Sequence, residues 1–148
     1  MDEVDLTADR LCGEEGFKVY PYDDATGERV KAPKGHLTWL YGLNLDEIGS
    51  KELGKEITKI LLRQTVVDLG QYSWYTGLDI VRKSVVLDIA YNNGVNGLLH
   101  FPHMIAALGK GDWSTAAMEC AVANPQLNES RYAPLRRLIL SGTIGDVV

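Results

Sequence analysis

The stretch from Asp79 to Asn93 constrains the fold of this chain more than any other, because it is apolar on nearly every side. Its apolar residues are Ile80, Val81, Val85, Val86, Leu87, Ile89 and Ala90. A helix that is apolar all round is normally buried within the protein. The sequence therefore predicts a central buried helix over 79–93.

Further helices are predicted on both sides of this segment. Their apolar residues recur at helical spacing, and Ser, Thr, Asp or Asn side chains stand where caps are needed. Pro102 can occupy the first turn of a helix, where its missing N–H is harmless. The predicted ranges are 6–15, 55–69, 96–108, 112–121 and 131–140.

The region from Phe17 to Leu45 is different, because it combines several glycines and prolines with β-branched and aromatic residues. That composition is typical of a small hairpin or a three-stranded sheet. Strands near the front of a chain with helices behind them predict an α+β fold. We expect one domain over 1–148, with a small β lobe at about 17–54 and a helical lobe at about 55–148. The first helix would pack on the helical lobe, and the long helix would join the two lobes.

Charge and composition exclude several classes of partner. The 148 residues carry 15 basic and 20 acidic side chains, so the formal net charge is −5. Nucleic acid is a poor candidate because there is no strong basic field. No apolar run approaches the roughly 20 residues that a membrane span needs. The acidic, polar N-terminus does not resemble a signal peptide, so we expect synthesis in a cytoplasm.

The cysteines and histidines do not predict a metal site or a disulfide framework. Cys12 and Cys120 stand among small or apolar residues, and we interpret both as buried free thiols. His36, His100 and His103 lack the spacing of metal ligands. The sequence therefore predicts neither a metal nor another cofactor.

Two pairs of carboxylates near the front of the chain are candidates for chemistry. Glu14 and Glu15 end the first predicted helix, and Asp23 and Asp24 follow in the β region. A carboxyl group in the last helical turn feels the negative end of the helix dipole, which raises its pKa. A glutamic acid opposite an ionised aspartate is the arrangement that glycoside hydrolysis uses. Acidic pairs at helix ends are also common on solvated surfaces.

A set of motifs favours the catalytic interpretation. Glu15-Gly16, the run 22–27 and the run 38–42 resemble the E-G-x(5)-Y-x-D-x-x-G…T-x-x-x-G signature of phage-type lysozymes, the glycoside hydrolase family 24 endolysins. The segments 90–94 and 109–113 also resemble later parts of that family, so the likeness covers nearly the whole chain. It implies a lysozyme-like fold with two lobes.

The resemblance implies a role for each of three residues. Glu15 would be the general acid that protonates the glycosidic oxygen. Asp24 would stabilise positive charge at the anomeric carbon and help to place the attacking water. Thr38 would hold that water through its hydroxyl group.

Three further residues would support the catalytic group. Arg131, eleven residues before Gly142, matches the arginine that pairs with the catalytic glutamate. Asn92 would either hydrogen-bond in the same cleft or cap the central helix. Tyr22 would either pack against neighbouring residues or take part in catalysis.

The chain also departs from the family pattern. Leu40 and Leu43 stand where the family usually has glycine and histidine. Residues 28–34 form an insertion that carries three cations, Arg29, Lys31 and Lys34. These cations are either a solvated hairpin tip or a contact with the substrate.

The resemblance implies a monomeric endolysin whose partner is the glycan strand of peptidoglycan. It would hydrolyse the β-1,4 bond between N-acetylmuramic acid and N-acetylglucosamine, and the family pattern indicates inversion at the anomeric carbon. The enzyme would wait in the host cytoplasm and reach the cell wall through a membrane hole. The alternatives are a virion-associated or delivered wall hydrolase and a catalytically weak peptidoglycan-binding module.

Overall fold

The structure is a computed structural model that describes residues 1–14, 17–23, 25–31, 35, 38–39, 43–44, 49–122 and 129–145. Within these ranges the chain forms seven helices and two short strands. In chain order they are α1 (Glu3–Glu14), β1 (Thr38–Trp39), β2 (Leu43–Asn44), α2 (Lys51–Leu69), α3 (Ser73–Thr76), α4 (Ile80–Leu98), α5 (Pro102–Lys110), α6 (Trp113–Val122) and α7 (Glu129–Ser141).

Helix α4 forms the centre of the core, as its apolar sequence predicts. The Oδ1 atom of Asp79 caps it by accepting the backbone N–H of Arg82 at 2.9 Å. Every residue from Ser84 to Ala90 is buried, and α1, α2 and α7 pack around this segment. The helix runs on to Leu98, past a break at Gly94, which has a φ of 71°. The buried helix is confirmed, and its predicted end at residue 93 lies directly before the break at Gly94.

Other helix boundaries follow from capping groups in the sequence. The Oγ atom of Ser50 accepts the backbone N–H of Leu53 at 3.0 Å, so α2 begins one turn before the predicted start at residue 55. Pro102 starts α5, and the predicted helix over 96–108 is therefore divided between the end of α4 and α5. Asp112 precedes α6 and accepts the backbone N–H of Thr115 at 3.1 Å.

The prediction of an α+β fold with a β-hairpin lobe is wrong. Helices hold 70% of the described residues and strands only 3%. The strands β1 and β2 are two residues long and pair antiparallel, with Thr38 opposite Asn44. Elsewhere in the described part of this region, a single bridge joins Tyr22 to Arg29.

The exposure of the described side chains between residues 17 and 45 explains this error. β-branched and aromatic residues favour strands when one face of a pleated surface is buried. Val19, Tyr22 and Val30 instead remain 40–46% exposed. Because no layer covers these side chains, their β-propensity does not produce a sheet.

The two cysteines differ in their surroundings. Cys120 is buried, and this burial raises the pKa of its thiol to about 12. Cys12 is exposed, so the prediction of a buried thiol is wrong for this residue. Helix α1 turns Leu11 into the core, and the next residue on a helix points about 100° away from it. Both thiols are free.

A buried arginine connects the later helices. The Nε atom of Arg82 donates to the carbonyl oxygen of Ile139 at 2.8 Å. Its guanidinium carbon lies 3.8 Å from the ring centroid of Trp113. Gly142 follows α7 with a φ of 63°, and a Cβ atom there would approach the guanidinium carbon to 2.8 Å. The glycine therefore leaves the space that Arg82 occupies, and α4, α6 and α7 meet at this side chain.

Candidate functional site

An open groove with a volume of about 860 Å³ lies beside α1. Four segments form its walls: the end of α1, the loop that follows it, the first two turns of α2 and the middle of α4. The described lining residues are Leu11, Cys12, Gly13, Phe17, Lys18, Tyr20, Pro21, Tyr22, Lys51, Gly54, Lys55, Thr58, Tyr91 and Asn92. The volume falls in the range of a small-molecule or oligosaccharide site.

Aromatic rings dominate the apolar part of this groove. Phe17, Tyr20 and Tyr22 come from the loop after α1, and Tyr91 comes from α4. Phe17, Tyr22 and Tyr91 keep more than a third of their surface exposed. Rings that stay partly exposed in a concave surface offer flat apolar faces to a ligand, and the tyrosine hydroxyl groups add hydrogen-bonding capacity.

The charged groups among the described lining residues are all lysines. The Nζ atom of Lys18 lies 5.7 Å from the ring centroid of Tyr22, a cation–π contact. Lys55 forms an ion pair with Asp9 at the edge of the groove. Lys51 starts α2 and is exposed. The described lining therefore carries positive charge in a chain whose net charge is negative.

A buried ion-pair cluster lies next to the groove residue Asn92. The Oδ2 atom of Asp88 accepts Nε of Arg10 at 2.7 Å, and Oδ1 accepts Nη2 of Arg131 at 3.2 Å. Asn92 donates from Nδ2 to the backbone oxygen of Asp88 at 2.8 Å and to its Oδ1 at 3.3 Å. Arg10 also donates to the backbone oxygen of Ser84 at 2.8 Å. Because Asp88 has no exposed surface, these donors satisfy a carboxylate that water cannot reach.

The predicted catalytic carboxylates Glu15 and Asp24 lie outside the described residues. Gly13 and Phe17, which lie two positions before and two positions after Glu15 in the sequence, both line the groove. Tyr22, two positions before Asp24, lines the same groove. Thr38 lies in β1, where its backbone pairs in register with Asn44.

The structure places the three predicted supporting residues as follows. Arg131 contacts Asp88 from α7, and its expected pairing with Glu15 remains a prediction. Asn92 lines the groove, and its Nδ2 donates to the backbone oxygen of Asp88 just before α4 is broken at Gly94. The side chain is therefore both in the groove and at the end of the regular helix. Tyr22 is 43% exposed in the groove and contacts Lys18, so it is not a core packing residue.

The cations of the insertion do not belong to the described lining of the groove. Arg29 lies over the ring of Tyr20, with its guanidinium carbon 5.2 Å from the ring centroid. Lys31 is exposed, and Lys34 lies outside the described residues. The groove instead takes its lysines from the loop after α1 and from α2.

Asp88 and Arg10 were not among the residues predicted from the sequence, although a signal for Asp88 was present. Asp88 is the acidic residue within the apolar run 80–90, where an isolated carboxylate requires a partner. The identity of that partner was not readable, because Arg10 is 78 residues away in the sequence. The groove lysines gave no signal, since single lysines are common on surfaces.

Neither a membrane-spanning helix nor a metal-binding cluster occurs within the described residues. No described helix combines the length and apolar character needed to cross a membrane. No group of three or more His, Cys, Asp or Glu side chains in the described ranges could hold a metal ion.

Neither the protein-family models nor the curated proteins include a match to this chain. The likeness to phage-type lysozymes is thus carried by the motif residues in the sequence.

Proposed function

We propose that this protein is a muramidase that hydrolyses the β-1,4 bond between N-acetylmuramic acid and N-acetylglucosamine in peptidoglycan. One observation carries the proposal: the groove is lined by Gly13, Phe17 and Tyr22, which bracket or closely precede the positions of Glu15 and Asp24 in the sequence. Residues close in the sequence to both motif carboxylates therefore line one concave, aromatic surface.

The composition of the groove suits a glycan strand. Partly exposed aromatic rings can lie against the apolar faces of sugar rings, while lysine, threonine and asparagine side chains offer hydrogen bonds to hydroxyl and acetamido groups. An open groove accepts a long polymer, whereas an enclosed cavity would hold only a small molecule. These properties support an enzyme that cleaves within a strand.

The proposed reaction needs only the chain's own groups. The carboxyl group of Glu15 donates its proton to the glycosidic oxygen as the bond to the anomeric carbon breaks. The carboxylate of Asp24 stabilises the positive charge that develops on that carbon. A water molecule held by the hydroxyl group of Thr38 then adds to the anomeric carbon from the opposite face and gives its proton to the carboxylate of Asp24, which inverts the configuration.

The ion-pair cluster joins helices that supply part of the groove. Asp88 connects Arg10 on α1, Arg131 on α7 and Asn92 on α4, and α1 and α4 also supply residues that line the groove. Rigid support matters because a misplacement of about 1 Å in a catalytic group can cost about 100-fold in rate. We expect the protein to act in host cell lysis, after release from the cytoplasm through a membrane hole.

The test is the release of new reducing ends from purified peptidoglycan by the wild-type protein. Mass spectrometry of the soluble products identifies which bond breaks. The proposal expects disaccharide-repeat fragments with N-acetylmuramic acid at the reducing end. Binding to the wall without any new reducing end would contradict it and would identify a peptidoglycan-binding module.

A further inference from the structure

We propose that Lys18 and Lys51 make the groove selective for glycans that carry carboxylate groups over uncharged glycans of the same length. The inference rests on the proposed function in that it takes the ligand to be a glycan strand. It goes beyond that function by assigning selectivity to two residues for which the lysozyme-like motifs imply no role.

The groove differs in charge from the rest of the protein. The chain has five more acidic than basic residues, so a random sample of its surface would be acidic. The described lining of the groove instead holds three lysines. Of the two carboxyl groups proposed to act at this site, Glu15 acts in its protonated form, so only Asp24 adds negative charge and the lysines remain in excess. A local excess of one sign in a concave surface raises the local concentration of ligands of the opposite sign.

The three groove lysines differ in whether they form an ion pair with a carboxylate of the protein. Lys55 is paired with Asp9, and this pair is close to neutral. Within the described part of the chain, Lys18 and Lys51 have no carboxylate in ion-pair contact, and both are exposed. Their ammonium groups are therefore the ones that the groove can offer to a ligand anion.

Lys18 lies beside the aromatic ring of Tyr22. Its Nζ atom lies 5.7 Å from the ring centroid of Tyr22, and both residues line the groove. A sugar ring that lies on Tyr22 would bring a carboxylate substituent within reach of this ammonium group. An uncharged sugar would use the same aromatic surface and could accept a hydrogen bond from the lysine, but it would gain no attraction between opposite charges.

These observations also separate the groove lysines from the cations of residues 28–34. Arg29 and Lys31 stand outside the described lining, and Arg29 lies over Tyr20. We therefore assign the contact selectivity to Lys18 and Lys51, which line the groove. N-acetylmuramic acid carries a lactyl carboxylate on each disaccharide, whereas the all-N-acetylglucosamine strand of chitin carries none.

The experiment compares two tetrasaccharides by calorimetric titration. One alternates N-acetylglucosamine with N-acetylmuramic acid, and the other is the chitin tetramer. The titrations use the Glu15→Gln background so that the ligands remain intact. Because exposed ion pairs are individually weak, we expect the carboxylated ligand to bind about fivefold more tightly. The preference should fall below about twofold in the Lys18→Gln/Lys51→Gln variant, and affinity for the chitin tetramer should change little.

The matched control is Arg63→Gln/Lys110→Gln, which removes the same charge from two exposed residues outside the described lining of the groove. The control should retain the full preference. Equal affinity of the parent for both ligands, or an unchanged preference in the double lysine variant, would overturn the inference. Cleavage of peptidoglycan by the wild-type protein is measured separately, so the absence of cleavage contradicts the proposed function while the titrations still decide the selectivity.

Discussion

The guanidinium Nε of Arg10 lies 2.7 Å from Oδ2 of Asp88, and this ion pair joins the first helix to the central helix. Asp88 is completely buried, and its second oxygen contacts Arg131 on the last helix at 3.2 Å. Buried carboxylates of this kind must be paired, because an isolated ion is strongly disfavoured away from water. One side chain therefore connects three helices that are far apart in the sequence.

Replacing Asp88 with Asn should destabilise the protein by about 3 kcal/mol, since breaking a buried pair leaves uncompensated charge on the two arginines. The change keeps the shape of the side chain, so the loss reports charge and hydrogen bonding. Urea unfolding followed by circular dichroism measures the free energy of unfolding.

The control for this variant is Asp68→Asn on α2. Asp68 is exposed and accepts a hydrogen bond from Gln64, which an asparagine oxygen can also accept. We expect a change within about 0.5 kcal/mol. Equal stability of the Asp88 variant and the wild type would show that the cluster contributes nothing to folding.

Gly142→Ala should lower stability by about 2 kcal/mol or more, because an L-residue is strained at positive φ and overpacking adds to that strain. The φ of Gly142 is 63°, and the new methyl group would collide with the guanidinium of Arg82. Thermal unfolding provides the measurement. Gly145→Ala is the matched variant, since nothing lies within 4 Å of a Cβ atom there, and it should melt close to the wild type. Identical melting of both variants would contradict the packing described at Arg82.

The capping carboxylate Asp79 should make stability depend on pH. Burial acts to raise the pKa of Asp79, but the hydrogen bonds and charge of Arg82 outweigh it and hold the pKa below its ordinary value of 3.8. A lowered pKa in the folded state gives stability that is present above pH 3.8 and lost as the pH falls through the folded value.

Asp79→Asn tests this dependence, because asparagine also caps helices well but carries no charge. The wild type should melt higher than the variant at about pH 7, and the difference should shrink at about pH 3. A melting difference that stays constant between these two pH values would assign the effect to the cap alone.

Asp24→Asn should reduce the rate of wall hydrolysis by at least about 100-fold, whereas Asp23→Asn should change it little. The carboxylate of Asp23 stabilises a turn, in which its Oδ1 accepts the backbone N–H of Ala25 at 2.9 Å. An asparagine can make the same hydrogen bond, so the turn survives. Reducing-end release under steady-state conditions compares the two variants, and equal losses would remove the assignment of Asp24.

The helices were predictable from the sequence because local signals specify them. The continuous apolar pattern of 79–93 identifies the buried helix, and Ser50, Asp79 and Pro102 mark helix starts. The front region was not predictable in the same way. Strand formation depends on what covers the strand, and a chain that leaves Val19 and Val30 exposed provides no such cover.

The site was predictable only in part, for a related reason. The resemblance to lysozyme motifs makes Glu15, Asp24 and Thr38 candidates, because those motifs are short runs that can be recognised in the sequence. The Arg10–Asp88 pair and the approach of α2 lysines to the loop after α1 are long-range contacts. Local patterns do not encode which distant helices meet, so these contacts appear only once the chain is folded.

The proposed chemistry depends above all on Glu15 as the proton donor. Glu15→Gln removes the acidic proton while keeping the size of the side chain, and Glu14→Gln makes the same change at the exposed last residue of α1. Reducing-end release from purified peptidoglycan should fall by about 1000-fold or more in the Glu15 variant and stay near the wild-type rate in the Glu14 variant, with the melting temperature of both close to the wild type. Full activity of a folded Glu15→Gln variant would contradict the assignment of Glu15 as the general acid.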